Sequence, residues 1–186
     1  MKILGIETTC DETGISLIEF ENEEFKILGN ELRTQFNIHK KYGGVVPILA
    51  AREHKRNLPI LYQSLIKKTK IKPQEIDFIA FAYGPGLPPA LVSGKEFVID
   101  LAKKLKKLII PVNHLLAHFY SVLIPQNRLG IRQKPKKLNF PFIGVLVSGG
   151  HTLLVYLENL TKIKKLGETL DDALGESLDK AGRLLD

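Results

Sequence analysis

The chain of 186 residues contains no tryptophan, one methionine and one cysteine, Cys10. A single cysteine excludes an internal disulfide and fits a reducing compartment, the cytoplasm. No apolar run approaches the roughly 20 residues that a bilayer-spanning helix needs. The opening stretch "MKILGIETTC" has one lysine and reaches polar residues by position 7, which is not the pattern of a secretory leader. Acidic residues are outnumbered, 20 Asp and Glu against 27 Lys and Arg, for a net charge of +7. That balance suits a polyanionic partner such as RNA, and a lysine-rich proteome would produce it equally well. Two basic clusters stand out. "KKLKK" (103–107) falls at an expected helix end, where cations suit the dipole, and "RQKPKK" (132–137) falls in a Pro-containing loop.

What remains is ordinary for a globular chain, 44% hydrophobic and 25% charged, long enough for one full domain and part of another. Apolar runs at 2–7, 14–20, 25–33, 77–83 and 108–112 read as strands, the third weakened by Gly29. Helical periodicity covers 48–70, where Pro59 is expected to kink or divide the helix, and 90–107. Three strands followed by helix, strand, helix and strand imply a mixed α/β sheet with helices on its faces. Residues 125–139, rich in Pro, Asn, Lys and Gln, read as a linker. After it "FIGVLVSGGHTLLVYL" (142–157) copies the strand–turn–strand layout of "ILGIETTCDETGISLI" near the start. The repetition implies two domains of one design, over 1–124 and from 140 onward, the second holding only a hairpin, a short strand and a helix.

The two matching turns carry the polar chemistry. In "VSGGHT" (147–152) the glycines let backbone N–H groups face an anion, and Ser148 and Thr152 bring hydroxyls. In "TTCDET" the hydroxyls are Thr8, Thr9 and Thr13, and the carboxylates are Asp11 and Glu12. As a pair such loops can clamp the phosphates of a nucleotide, although a lone Ser-Gly-Gly is more often an ordinary hairpin turn. "GPGLPPALVSGK" (84–95) is either a strand-to-helix connector or a ligand contact. It is not a Walker A loop, because Ser93-Gly94-Lys95 falls within the helical period. Near the end, Leu170, Leu174, Leu178 and Ala181 form an apolar stripe, opposite Asp172, Glu176 and Asp179. His114 and His118 in "NHLLAH" are four apart, as two metal ligands on one helix face would be, or two histidines of a core or surface. His39, His54 and His151 have no comparable partner in the sequence.

Taken in order, "ILGIETTCDET", "GGVVPILAAREH", "AYGPGL", "HLLAH", "FPFIGVLVSGGHT" and "LGETLDDALGESLDKAGRLL" closely resemble the TsaD family. These are the tRNA N6-adenosine threonylcarbamoyltransferases, formerly labelled glycoproteases or O-sialoglycoprotein endopeptidases. The resemblance is of bacterial type and spans nearly the whole chain. It implies an actin-like ATPase (ASKHA) fold of two ribonuclease-H-like domains. It also implies that His114 and His118 bind one divalent metal, iron or zinc. By the same resemblance Leu146, Val147, Ser148, Gly149, Gly150 and Asp179 contact an adenylate-type nucleotide substrate, and Asp11 and Glu12 match acidic positions used in catalysis. The implied partners are tRNA and TsaB-like and TsaE-like subunits, in the cytoplasm and without a membrane.

Two departures from the family pattern shape further expectations. Members are longer than this chain, so a fragment inactive alone is expected, with self-association through residues 140–186 covering the leucine stripe. Pro88 and Pro89 stand where the family commonly has Val-Gly. The alternative readings are a non-catalytic TsaB-like scaffold or truncated paralogue and the older metalloprotease label. "HLLAH" lacks the glutamate of a metalloprotease helix, and TsaB-like chains lack the histidine pair and the "SGGHT" turn.

Overall fold

A computed structural model describes residues 1–21, 24–124, 127–128, 131–132 and 139–185. The chain divides into two compact units, Met1–His114 and Leu115–Asp186. The expected linker over 125–139 lies mostly outside the described residues, apart from two short paired strands, β6 (Asn127–Arg128) and β7 (Ile131–Arg132).

The first unit is a five-stranded mixed sheet in the order β3-β2-β1-β4-β5. Strands β1 (Lys2–Glu7), β2 (Glu12–Glu21) and β3 (Glu24–Thr34) run antiparallel in sequence. Strands β4 (Phe78–Gly84) and β5 (Leu108–Asn113) then continue the sheet parallel to β1. Alternation decides which face is buried. Register puts Leu4 beside Leu17 and Ile6 beside Ile15, so all four project to one side. There they meet Leu58, Leu61 and Leu65 of helix α2 (Pro47–Thr69) and Val98 and Leu101 of helix α3 (Pro88–Leu105). Burying each such side chain stabilises by about 1.5–3 kcal/mol. A one-turn helix α1 (Phe36–His39) lies between β3 and α2.

Pro59 neither kinks α2 into two helices nor ends it; the helix runs unbroken through it. Proline deprives the Lys55 carbonyl of its intrahelical donor, but both residues are exposed, so water serves that carbonyl. Pro88 and Pro89 are equally well placed, at the first positions of α3, where backbone N–H groups have no intrahelical acceptor anyway. Gly29 does not break β3, which passes it with a bulge at Leu28.

The second unit holds helix α4 (His114–Tyr120), whose first residue belongs to the first unit, and a three-stranded antiparallel sheet in the order β10-β9-β8. Its strands are β8 (Phe142–Val147), β9 (Thr152–Leu157) and β10 (Ile163–Glu168). Phe119 of α4 packs with Leu146, Val155 and Leu157. The trio repeats β1–β2–β3, down to a one-residue bulge in the third strand, here at Leu166. Helix α5 (Leu174–Leu185) follows, and it starts later than the stripe implied. Leu170 is wholly exposed ahead of the helix, and Asp172 also precedes it. Asp172 instead accepts from Lys180, both of its oxygens 2.7 Å from that ammonium.

Candidate functional site

In the first unit the polar residues gather at the carboxyl ends of the parallel strands, the end at which open α/β sheets hold ligands. Glu7 closes β1 and His114 follows β5, so their side chains converge although 107 residues separate them. Glu7 Oε2 accepts a hydrogen bond from His114 Nδ1 at 3.0 Å, and Oε1 accepts from the Thr9 N–H at 2.6 Å. Burial pushes the Glu7 carboxyl up, but the bonds from His114 and Thr9 outweigh it and hold the group below the usual carboxylate range. The Nδ1 proton of His114 is thereby fixed toward Glu7, so a metal would be taken through Nε2. Glu7 was not singled out by sequence reasoning, because only the tertiary fold brings it to the histidine.

His118 lies one turn further along α4 and is exposed, whereas His114 is half-buried. Neither is a core histidine. Among the described residues no group of three or more His, Cys, Asp or Glu could hold a metal ion. The residues that could hold a metal here are His114, backed by the Glu7 carboxylate, and His118.

The turn after β1 differs from the sequence reading in its hydroxyls. Thr8, Thr9 and Thr13 are all buried, at 2%, 4% and 0% exposure, and do not face a ligand. Thr13 lies on β2 against α2, and the Thr9 carbonyl accepts from the Leu87 N–H at 2.8 Å. A Cβ on Gly86 would sit 2.6 Å from that carbonyl oxygen, so "GPGL" is a packing element that clamps the turn backbone. Asp11 is half-buried and Glu12 exposed. Cys10, the thiol beside them, is pushed up to about 11, by partial burial of its sulfur first and then by its bond to Asp11 and that carboxylate's charge.

His39 and His54 turn out to be partnered after all. Both are buried, and Gln35 joins them: its Oε1 accepts from His39 Nε2 at 2.9 Å, and its amide nitrogen lies 3.5 Å from His54 Nδ1.

In the second unit the β8–β9 turn is tightly closed. Ser148 N–H and Oγ both donate to the His151 carbonyl, at 2.8 and 3.1 Å, and Ser148 Oγ accepts from the His151 N–H at 3.0 Å. Thr152 Oγ1 accepts from the Leu174 N–H at 2.8 Å, capping the start of α5. Both hydroxyls expected to serve a ligand are thus engaged in structure. Gly149 and Gly150 are different: a Cβ on either would meet open space. Among the described residues no packing demand explains glycine at these two positions. Gly175 of α5 is the reverse case. Its missing Cβ would lie 2.6 Å from the Ser148 carbonyl oxygen, so α5 is seated directly on the turn. Leu146 is buried in the unit's core, while Val147 and Asp179 are exposed.

Comparison with known proteins matches a family model described as "TsaD: tRNA N6-adenosine threonylcarbamoyltransferase" to residues 26–186. Curated relatives bearing the name tRNA N6-adenosine threonylcarbamoyltransferase include that of Thermosipho melanesiensis, 44% identical over 185 residues, covering 100% of this chain and 53% of its own. That of Polynucleobacter asymbioticus is 46% identical over 192 residues, covering 100% of this chain and 51% of its own. The chain spans about half the length of the curated relatives it matches. Among solved structures, YeaZ from Pseudomonas aeruginosa aligns with a TM-score of 0.52 at 14% identity, over 91% of this chain and 68% of that one. At that identity the likeness concerns the fold alone, which is α/β of the actin-like, ribonuclease-H-like class.

Proposed function

The chain belongs to the TsaD family, and on that footing we propose that it takes part in transfer of a threonylcarbamoyl group to tRNA. The donor is threonylcarbamoyl-adenylate and the acceptor is N6 of the adenosine next to the anticodon. The observation that carries this reading is the family match over residues 26–186. In the reaction N6 attacks the carbamoyl carbon, the new N–C bond forms, and the bond from that carbon to the phosphate oxygen breaks. AMP leaves with the electron pair, and the N6 proton passes to a carboxylate, a role we assign to Asp11 with Glu12 beside it. The N–H groups of Gly149 and Gly150, which follow Leu146, Val147 and Ser148 at the end of β8, hold the adenylate phosphate, and Asp179 binds the nucleoside part. His114 and His118 are the residues that would hold one iron or zinc ion. When bound, such an ion supplies Lewis-acid polarisation of a carbonyl or phosphoryl oxygen. Glu7 keeps His114 in one tautomer and orientation for it.

The domain reading that goes with this is a ribonuclease-H-like domain over 1–124, a linker over 125–139 and a second domain of the same design from 140. The repeated antiparallel trio, with matching bulges, supports it. tRNA and TsaB-like and TsaE-like subunits are the partners and the cytoplasm the location. Among the described residues no helix is long and apolar enough to cross a membrane.

The substrate assignment is tested by titrating a non-hydrolysable threonylcarbamoyl-adenylate analogue into the chain by calorimetry. Gly150→Val places its side chain in open space, so the fold survives while binding weakens roughly tenfold, the equivalent of about 1.4 kcal/mol lost at the phosphate. Unchanged affinity removes this turn from the site.

We also propose self-association through residues 140–186. Leu174 and Leu178 on α5 are 47% and 63% exposed, leaving apolar area whose burial stabilises by about 25 cal/mol per Å². Light scattering over a concentration series should give a rising mass that Leu178→Glu suppresses. A monomer at every concentration rules the contact out.

A further inference from the structure

The first unit buries four polar side chains in one connected group: Thr13 and His54 at 0% exposure, Gln35 at 1% and His39 at 3%. They come from four places in the sequence, β2, the end of β3, α1 and α2. His54 Nε2 donates to the Cys10 carbonyl at 2.9 Å, and its Nδ1 accepts from Thr13 Oγ1 at 2.8 Å. The Gln35 backbone N–H donates to the Asp11 carbonyl at 3.0 Å. The Gln35 side-chain amide donates to the Ala50 carbonyl at 3.4 Å and accepts from His39, whose Nδ1 accepts in turn from the Val46 N–H at 3.3 Å. Among the described residues no buried side-chain nitrogen or oxygen is left without a partner.

Apolar side chains of the same volume would hold α2 against the sheet without the cost of desolvating four polar groups. What apolar contacts do not supply is direction. Every bond in the group is directional, and two of them end on the carbonyls of Cys10 and Asp11. These are the peptide groups on either side of the Asp11 side chain. Burial also holds His54 below the usual histidine range, which keeps its ring neutral with one nitrogen donating and the other accepting.

We propose that His54, together with Thr13 and Gln35, is a positioning device for the turn that carries Asp11, fixing its carboxylate through the two flanking carbonyls. The importance of that carboxylate rests on the function proposed above; its placement does not. Thr13 fixes the ring of His54, His39 and Ala50 fix the amide of Gln35, and the turn is held from both sides. The second copy of the hairpin closes its turn locally through Ser148, so the buried group is a device of the first copy alone among the described residues.

The chain carries its own reporter, because its single cysteine sits in this turn beside Asp11. Alkylation of Cys10 by iodoacetamide, followed against pH, reads the thiol's surroundings without any assay of activity. In the unaltered chain the reactive thiolate should appear only at strongly alkaline pH. His54→Phe fills the space but removes both bonds, so the turn loosens, Asp11 moves off the thiol, and alkylation at neutral pH accelerates by roughly tenfold or more, a change of about one unit in the thiol's titration. His54→Gln can still donate to the Cys10 carbonyl and should restore the slow rate, which a mere loss of packing would not allow. Should His54→Phe fail to fold, Thr13→Val, which keeps the shape and removes only the hydroxyl, should give the same acceleration. Identical Cys10 titrations in the unaltered chain and all folded variants overturn the proposal. An absence of transfer activity leaves these titrations untouched, so the positioning role and the proposed reaction fail separately.

Discussion

Asp11→Asn is expected to lower threonylcarbamoyl transfer by roughly 10²–10⁴-fold, the usual contribution of a positioned proton acceptor. The substitution keeps the size of the side chain and leaves untouched the bonds that hold the turn, which end on the Cys10 and Asp11 carbonyls. Its thermal midpoint should therefore match that of the unaltered chain. The assay is single-turnover formation of the modified adenosine in tRNA, read by mass spectrometry, in an assembly of this chain with TsaB-like and TsaE-like subunits. Glu12 is the control. It is exposed on the next residue, and Glu12→Gln should have the smaller effect if Asp11 takes the proton. Full activity in Asp11→Asn assigns the proton to another group. No product from the unaltered assembly overturns the reaction itself.

Metal binding gives the second large effect. Glu7→Gln should weaken zinc or iron(II) binding by roughly 10–100-fold, the range found when the carboxylate behind a ligating histidine is lost. The amide has the carboxylate's shape and keeps one acceptor oxygen for the Thr9 N–H, so the fold is retained, but its nitrogen cannot accept from Nδ1 and the negative charge facing that atom is gone. Competition against a chelator of known affinity measures the change, and the cobalt(II) spectrum reports whether the ligand nitrogens remain. Affinity in the unaltered chain should itself be modest, since the described residues supply two imidazoles and not the three protein ligands customary for zinc. Equal affinities for the unaltered chain and Glu7→Gln separate the Glu7–His114 contact from metal binding. Loss of binding in His118→Ala, with Glu7→Gln unchanged, confines the metal's dependence to the helix.

Both effects depend on contacts that differ in how far they can be read along the chain. Strand alternation at Leu4, Ile6, Ile15 and Leu17 is a local property, because successive side chains leave opposite faces of any strand. The apolar runs at 2–7 and 14–20 foretold the two strands that carry it, and the strand–turn–strand copy at 142–157 foretold the β8–β9 hairpin. The placement of the two turns, the helices on either side of β4 and the pair of histidines on one helix were legible for the same reason. Pro59 misled because propensity ignores exposure: a proline on a solvated helix face leaves a carbonyl that water can serve. Leu170 misled because its spacing matched a helix that the chain enters only at Leu174.

The tertiary structure alone decided which polar groups meet. Residue types in "TTCDET" suggested hydroxyls turned toward a ligand, yet register on β2 sends Thr13 inward to His54, 41 residues away. Glu7 lies 107 residues from His114, and no periodicity links them; the parallel order β1-β4-β5 brings their strand ends together. Glycine is ambiguous for the same reason. Gly86 and Gly175 are required by backbone packed against them, whereas Gly149 and Gly150 face open space, and only packing separates these cases. The sequence by itself determined the strands, the repeat and the family motifs, because these depend on short-range spacing. Which carboxylate faces which imidazole, and which histidines are structural, depended on long-range strand order and register, which local residue patterns do not encode.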